Sequence, residues 1–332
     1  MAFPVENSPV SRPDLGMAVT EYIEQAPASG FIGLRVMPIL RVPEQSAQFP
    51  VLPKEALLSV PNTARAMRGN YNRGDWEYEM GYYATSENGW EEPLDDRERA
   101  LLPSELDGGL IAVRRATGII LRAQEMRIAS KVFNASNFAP HAVANEWDDH
   151  ANATPIDDVN AGIMAVRKAC GMIPNTLIVS FSTFLHLRRC AQVVELLKYT
   201  FPGAEINSMT PEQMAMVLNV ERLLVGGAVY NSAKKGQNAD IADLWDSEYA
   251  MLTITSDSPD MTEPCIGRTF LWTRDSAENA VVEQYREEPR RSDIYRCRHD
   301  TDESFLVSRD KDKNVVSNIS QAVSYLMSNI TT

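Results

Sequence analysis

SELDGGLIAVRRATGIILRAQEMRIASKVFN (104–134) contains no proline, and its apolar residues recur at three- and four-residue spacings. Leu106, Leu110, Val113, Leu121, Ile128 and Val132 trace one stripe, and Ala112, Ala116, Ile119, Ala123, Met126 and Phe133 the stripe beside it. Arg114, Arg115, Arg122, Glu125 and Lys131 fall on the polar side. Ser104, just after Pro103, is placed to cap the helix, with Asp107 at the capping-box distance. Such a helix would be about 45 Å long. Gly108 and Gly109 weaken its first turn and move the start toward Leu110. One long helix in a chain otherwise rich in strands and turns predicts a spine, with the core helix of an α/β enzyme as the competing reading.

Working outward, the 332 residues suffice for two or three domains, and 44% hydrophobic content is that of a globular protein. The net charge of −13 argues against a dedicated nucleic-acid binder, which needs excess Lys and Arg; it suits a protein that encloses nucleic acid rather than grips it. Cys170, Cys190, Cys265 and Cys297 form no CxxC pair, which predicts free thiols in a reducing compartment. The first residues lack a basic region followed by an apolar one, and no apolar run is long enough to cross a bilayer, so folding in cytosol without a membrane partner is expected.

Residues 1–30 carry Pro4, Pro9, Pro13 and Pro27 and read as an extended arm needing another surface, apart from a short helix at Gly16–Gln25. Phe31–Leu52, broken by Pro38, Pro43 and Pro50, reads as short strand pieces. NYNRGD (70–75) signals a turn before an alternating run: Trp76, Tyr78, Met80 and Tyr82 on one side, Glu77 and Glu79 on the other, Gly81 as a bulge. With Ala47–Leu52 this predicts a long hairpin. Its tip is basic through Lys54, Arg65, Arg68 and Arg73. The stem and its continuation are acidic, with Glu87, Glu91, Glu92, Asp95 and Asp96 forming a collar. A basic tip and an acidic collar in one chain suggest contact between copies.

Beyond the long helix, Ile156–Cys170 reads as a helix capped by Asp157 or Thr154. PNTLIVS (174–180) reads as a buried strand, followed by helices at Phe181–Cys190 and Val193–Thr200. Thr210, Pro211 and Gln213 form a strong helix start before the strand RLLVGGAV (222–229). Further strands are expected at Tyr249–Thr255, Thr269–Thr273, Ala280–Arg286, Ile294–Arg298 and Phe305–Val307, then a helix around Val315–Met327.

GxSxG, HExxH, the phosphate-binding GxxxxGK[ST] and GxGxxG are all missing. His141, His150, His186 and His299 lack metal-ligand spacing, and the aspartate pairs at 95–96, 148–149 and 157–158 read as caps and solvated loops. Ser180 and Ser182 stand at a strand–helix junction without an identifiable base. No catalytic residue, metal or cofactor is expected. Arg114, Arg115, Arg122, Arg127 and Lys131 on the long helix are candidates to face DNA non-specifically, against the plainer reading of a solvated outer face.

The order of these pieces resembles the major capsid proteins of tailed phages, which share the Hong Kong 97-type capsid fold. The resemblance rests on FIGLRVMPILRV (31–42) with QFPVL (48–52), the hairpin to residue 90, and RATGIILRAQEMRIASKVFN (115–134). It continues through NEWDD (145–149), TPIDDVNAGI (154–163), PNTLIVS (174–180), IADLWDSEYAML (241–252), GRTFLW (267–272) and EQYREEPRRSDIYR (283–296). What it implies is an α+β fold: an N-terminal arm and first strand (1–46), an extended β-hairpin loop (47–92), and a peripheral domain with the spine helix (93–154). An axial domain (155–283) and strands returning to the peripheral domain (284–332) would follow.

The implied function is non-enzymatic self-assembly into hexamers and pentamers of an icosahedral shell around packaged double-stranded DNA. The extended loop would lie over a neighbouring copy. Scaffolding, portal and decoration proteins are the expected partners, the virion the expected location and the host cytoplasm the place of assembly. The charged helical extension some relatives carry before the arm has no match in residues 1–30, so either a separate scaffold directs assembly or this is a processed or minimal form. Some relatives crosslink a loop lysine to an asparagine. Lys54 is the only lysine of this hairpin, and it has no identifiable partner. An encapsulin-like nanocompartment shell enclosing cargo enzymes is the alternative.

Overall fold

The computed structural model describes residues 10–12, 15, 30–51, 53, 58–74, 79–102, 106–200, 209–234, 236–276, 279–309 and 315–331. The long helix runs Gly108–Val132. Asp107 caps it, accepting from the N–H groups of Gly109 at 2.9 Å and Leu110 at 3.3 Å, donors that a helix start otherwise leaves open. Ser104, the expected cap, lies outside the described residues. The glycine pair is there for packing: a Cβ on Gly109 would stand 2.6 Å from the Tyr295 hydroxyl. The 25 residues span about 37 Å.

The strands, in chain order, are β1 (Val10–Ser11), β2 (Ile39–Val42), β3 (Ser46–Val51), β4 (Glu79–Ala84), β5 (Ser86–Asp95), β6 (Pro140–Ala142), β7 (Thr176–Ser180), β8 (Arg222–Gly226) and β9 (Val229–Asn231). They continue as β10 (Ile241–Asp243), β11 (Ala250–Thr253), β12 (Arg268–Trp272), β13 (Val281–Glu287), β14 (Ser292–Ser304), β15 (Val307–Arg309), β16 (Val315–Asn318) and β17 (Ser324–Ser328). A six-stranded sheet has the order β1-β13-β14-β12-β2, with β5 on the other edge of β14; a five-stranded sheet has the order β6-β17-β11-β7-β8. β7 lies between β8, parallel, and β11, antiparallel, which explains why TLIVS is buried throughout with an apolar centre of Leu177, Ile178 and Val179.

The spine helix serves both sheets. Val113, Ala116 and Ile120 pack with Leu94, Val282, Tyr295 and Cys297 of the six-stranded sheet. Ile128, Ala129 and Val132 pack with Ile178, Leu224, Met251 and Leu326 of the five-stranded sheet. Helices at Phe181–Leu187, Ala191–Thr200 and Pro211–Val217 connect β7 to β8, the last with the expected Thr210–Gln213 capping box. Pro155–Cys170 is helical after Thr154 and ends on left-handed Gly171.

Several expectations change. The helix foreseen at Val315–Met327 is instead β16, one helical turn at Ile319–Ala322 and β17, because Ser324–Met327 pairs with Ala250–Thr253 and this pairing overrides local spacing. That strand lies inside the five-stranded sheet, between β6 and β11, so the tail does not end among the strands of the six-stranded one. Conversely β12, inside 155–283, pairs with β2 and β14 in the six-stranded sheet. Within Phe31–Leu52, Gly33–Val36 forms a helical turn instead of a strand. Of the arm, Val10–Ser11 lies on its own chain, paired with Gln284 and Glu283, and Leu15 is buried. The helix expected at Gly16–Gln25 falls outside the described residues.

Ile120 is buried near the middle of the spine, under the six-stranded sheet. Ile120→Pro removes a helical N–H and costs ~3 kcal/mol or more, while Ile120→Ala costs roughly 2–5 kcal/mol through its cavity. We expect no folded protein from the proline variant and a destabilised but folded alanine variant. Native-like circular dichroism and melting of Ile120→Pro would contradict the spine assignment.

Candidate assembly interface

The hairpin is rooted in an aromatic stack. β3 and β4 pair from Ser46–Ala84 to Val51–Glu79, and this ladder passes through Phe49 opposite Gly81 without interruption. Tyr83 lies flat on Phe270 of β12, centroids 4.4 Å apart and planes 6° apart, with Phe49 tilted against the same ring at 5.4 Å. Gly81 is thus no bulge but the slot for Phe49, whose ring a Cβ would meet at 2.4 Å. Gly81 and Tyr83 face the body, and Met80 and Tyr82 face out. Trp76, Glu77 and Tyr78 lie outside the described residues.

At the tip, Val60 is 96% exposed, Met67 95% and Tyr71 71%. Such apolar side chains rarely cluster uncovered on a protein that works alone. Arg65, Arg68 and Arg73 are also exposed; Lys54 lies outside the described residues. Arg65 braces the tip, donating through Nε to the Gly69 carbonyl at 2.7 Å and covering the Tyr71 ring at 4.5 Å.

Every collar carboxylate has a partner within the chain. Glu91 meets Arg296 at 2.7 Å and accepts from the Tyr285 hydroxyl at 3.1 Å; Glu92 meets Arg115 at 3.3 Å. Asp96 and Arg286 form two 2.7 Å hydrogen bonds, which hold the Asp96 carboxyl below its ordinary range. Asp95 caps the helix Asp96–Leu101, accepting from Arg97 N–H at 2.7 Å, and Glu87 lies 3.8 Å from Arg298. These contacts fasten β5 to β13, β14 and the spine.

The helix cations divide. Arg114 is exposed, Arg115 holds Glu92, and Arg122 donates to the Val229 carbonyl at 3.2 Å. Arg127 and Lys131, expected to face DNA, turn inward instead, because their four-residue spacing puts both over β14. Arg127 donates to Glu303 at 2.8 and 3.0 Å, and Lys131 donates to the Glu303 carbonyl. Burial pushes Glu303 up, but the hydrogen bond and charge of Arg127, with Lys131, leave it below the ordinary carboxylate value. His299 beside them is pushed down to about 4 by burial and then by the charge of Arg127.

Glu125, placed by the periodicity on the polar side, is buried. Its Oε1 accepts from Ile32 N–H at 2.8 Å and the Trp245 indole N–H at 2.7 Å, and its Oε2 from Gly33 N–H at 2.7 Å. Burial raises its pKa, and the three hydrogen bonds oppose that rise. Ser180 merely caps the helix after it, accepting from Thr183 N–H at 3.1 Å. Among the described residues no group of three or more His, Cys, Asp or Glu could hold a metal, and no helix is long and apolar enough to cross a membrane. Charge patterning missed Val60, Met67 and Tyr71 at the tip, and a second apolar patch at Trp90, Leu101 and Ile111; their solvent exposure is what marks them.

No family model matches the chain. It is 28% identical over 221 residues to the major capsid protein of Burkholderia phage BcepMu, covering 65% of this chain and 68% of that one. It is 24% identical over 193 residues to the major capsid protein of Pseudomonas phage JBD67, covering 56% and 60%. Among solved structures, a phage-related protein of Bordetella bronchiseptica superposes with TM-score 0.68 at 23% identity, over 97% of this chain and 98% of that one. A Microbacterium phage Oxtober96 chain gives 0.55 at 12% identity over 90% and 91%, and the SrpI encapsulin of Synechococcus elongatus 0.51 at 12% over 90% and 86%. A spine helix under two sheets, with a projecting hairpin, is the Hong Kong 97-type capsid fold that this chain shares with those structures. Within that class, the chain is a homologue of the major capsid proteins of phages.

Two measurements probe the buried ties. Glu125→Ala leaves three donors without an acceptor and should lower unfolding free energy by roughly 1–3 kcal/mol or more, with Trp245→Phe costing less; an unchanged denaturation midpoint for Glu125→Ala would exclude the tie. His299 has a folded pKa of about 4, below the ordinary 6.5. Its contribution is therefore full above pH ~6.5 and is lost as pH falls through about 4. His299→Gln should flatten the pH dependence of stability across that window, read from denaturation midpoints.

Proposed function

We propose that this chain is the major capsid protein of a tailed phage, forming by self-assembly the icosahedral shell around packaged double-stranded DNA. The homology to two phage major capsid proteins supports this reading. The observation that carries it is the hairpin, rooted firmly on Phe270 yet ending in a tip of exposed Val60, Met67 and Tyr71. A rigid stem presenting uncovered apolar side chains suits a contact completed by a neighbouring copy.

In this reading, hexamers and pentamers form with the five-stranded sheet in the axial domain, at the capsomer centre, and the six-stranded sheet in the peripheral domain. Arg65, Arg68 and Arg73 help to set the register of the tip on its neighbour. Arg114, exposed on the spine helix, is the helix cation best placed to meet DNA, weakly and without sequence preference, since Arg115 and Arg122 are engaged by Glu92 and the Val229 carbonyl. The net charge of −13 suits a container that must release its contents. The chain catalyses no reaction, works with scaffolding, portal and decoration proteins, and passes from host cytoplasm to virion. An encapsulin-like shell shares the fold, but the likeness to SrpI encapsulin rests on 12% identity, and the sequence relatives are phage proteins.

Negative-stain microscopy of the expressed protein should show closed isometric shells or capsomer rings, and particles from infected cells should carry double-stranded DNA. Charge reversal of Arg65, Arg68 and Arg73 to Glu should cut particle yield at least tenfold with circular dichroism unchanged. A compact monomer at every concentration, or shells holding only enzyme cargo, would refute the proposal.

A further inference from the structure

We infer that His150 and His186 form a proton-operated clasp, which holds the helix Ala191–Thr200 against the loop 145–153 at neutral pH and loosens it in acid. The inference goes beyond the shell reading and does not depend on it. His150 Nε2 stands 3.1 Å from His186 Nδ1. The ring planes are 22° apart and the centroids 5.3 Å apart, wider than the nitrogen separation by about two ring radii. The rings therefore lie end to end, nitrogen facing nitrogen. At that distance one nitrogen must carry a proton and the other must not. Among the described residues no third His, Cys, Asp or Glu joins the pair to make a metal site, which leaves the proton as what the two rings share.

The clasp sits where three segments meet. The loop carries Trp147, fully buried, whose indole N–H donates to Asp158 at 2.9 Å and whose carbonyl accepts from the Cys190 thiol at 3.3 Å. The carbonyl of His150 accepts from Ala191 N–H at 2.8 Å, one of the donors that a helix start leaves open. One residue thus grips the helix Phe181–Leu187 through its ring and the next helix through its backbone. Gln192 adds a second fastening, donating to Asp157 at 2.8 Å and accepting from Ile156 N–H at 3.0 Å. Past these ties, Val193 and Leu197 of the same helix enter the core that covers the five-stranded sheet.

With both rings neutral, one donates and the other accepts. A first added proton leaves an imidazolium donating to a neutral ring, a charge-assisted bond. A second removes the last acceptor and sets two cations against each other. The pair takes up these protons as a unit. Burial and then His150 hold His186 below the ordinary imidazole value; Arg189 acts the same way, and Asp148 opposes them. A lowered folded value means that the clasp contributes fully above pH ~6.5 and is lost as pH falls through the pair's lower step. The other charged groups around it are Asp149 on the loop, Arg188 over the Phe184 ring at 5.1 Å, and Asp157 and Asp158 on the helix Pro155–Cys170. Burial raises the Asp158 carboxyl, and it pushes the Cys190 thiol up to about 12, so that group keeps its proton throughout.

Hydrogen exchange of the full chain tests the clasp, read by mass spectrometry from pH 7.5 to 4.5 and corrected for the intrinsic pH dependence of exchange. The peptide covering residues 188–195 should exchange at least threefold faster at the acid end, with no matching rise in the spine helix. His150→Gln and His186→Asn each place an amide close to the lost ring nitrogen and do not titrate, so in either variant the acid response of that peptide should disappear. Should one variant fail to fold, the other carries the comparison. A wild-type peptide with one corrected rate across the whole range would overturn the clasp. So would an acid response that survives in the folded variants, which would assign it to Asp158 instead.

Discussion

One helix has to cover two sheets, and the buried carboxylate of Glu125 is where that demand is met. Ile32 and Gly33 lie just before β2 of the six-stranded sheet, and Trp245 lies just before β11 of the five-stranded one. A single side chain on the spine therefore accepts from segments leading into both. Burying a carboxylate is unfavourable unless its lone pairs are occupied. Here three donors occupy them, and glycine at 33 and 226 is part of the same arrangement. A Cβ on Gly33 would stand 2.5 Å from Glu125 Oε2, and one on Gly226 2.3 Å from the Trp245 ring.

β14 is the second axis, organised by its period of two. Tyr295, Cys297 and His299 turn to the helix, while Arg296 and Arg298 on the opposite face hold Glu91, Glu283 and Asp275. Its ten-residue ladder with β5 fixes where the hairpin root stands relative to the helix Asp96–Leu101. The more open of these pairs, Arg296–Glu91, contributes about 1 kcal/mol at most. Their effect is on register, through many contacts along one strand.

Much of this was legible in the residues. The spine, the hairpin legs, the Thr210 cap and the β7 strand follow from periodicity and end signals, and their order carries the family resemblance. What failed were places where distant partners override local pattern. Glu125 reads as solvated because nothing near it in sequence announces Trp245. The Gly108–Gly109 pair reads as a weak turn because Tyr295 is nearly two hundred residues away. The tail reads as helical because its strand partner, Ala250–Thr253, is equally remote. The charge pattern of the collar was visible but ambiguous: acidic residues on β5 look free until β13 and β14 supply their arginines.

That internal neutralisation bears on how copies can cohere. The chain has 32 Lys and Arg against 45 Asp and Glu, so its charge is acidic on balance. Like copies at that charge repel, though beyond ~8 Å the repulsion is screened at physiological salt. Attraction between copies must then come mainly from short-range apolar burial, at roughly 25 cal/mol per Å². The three exposed arginines of the tip, Arg65, Arg68 and Arg73, make the hairpin locally basic on an acidic chain. In the proposed shell they would choose the place of contact, with Val60, Met67 and Tyr71 supplying its adhesion.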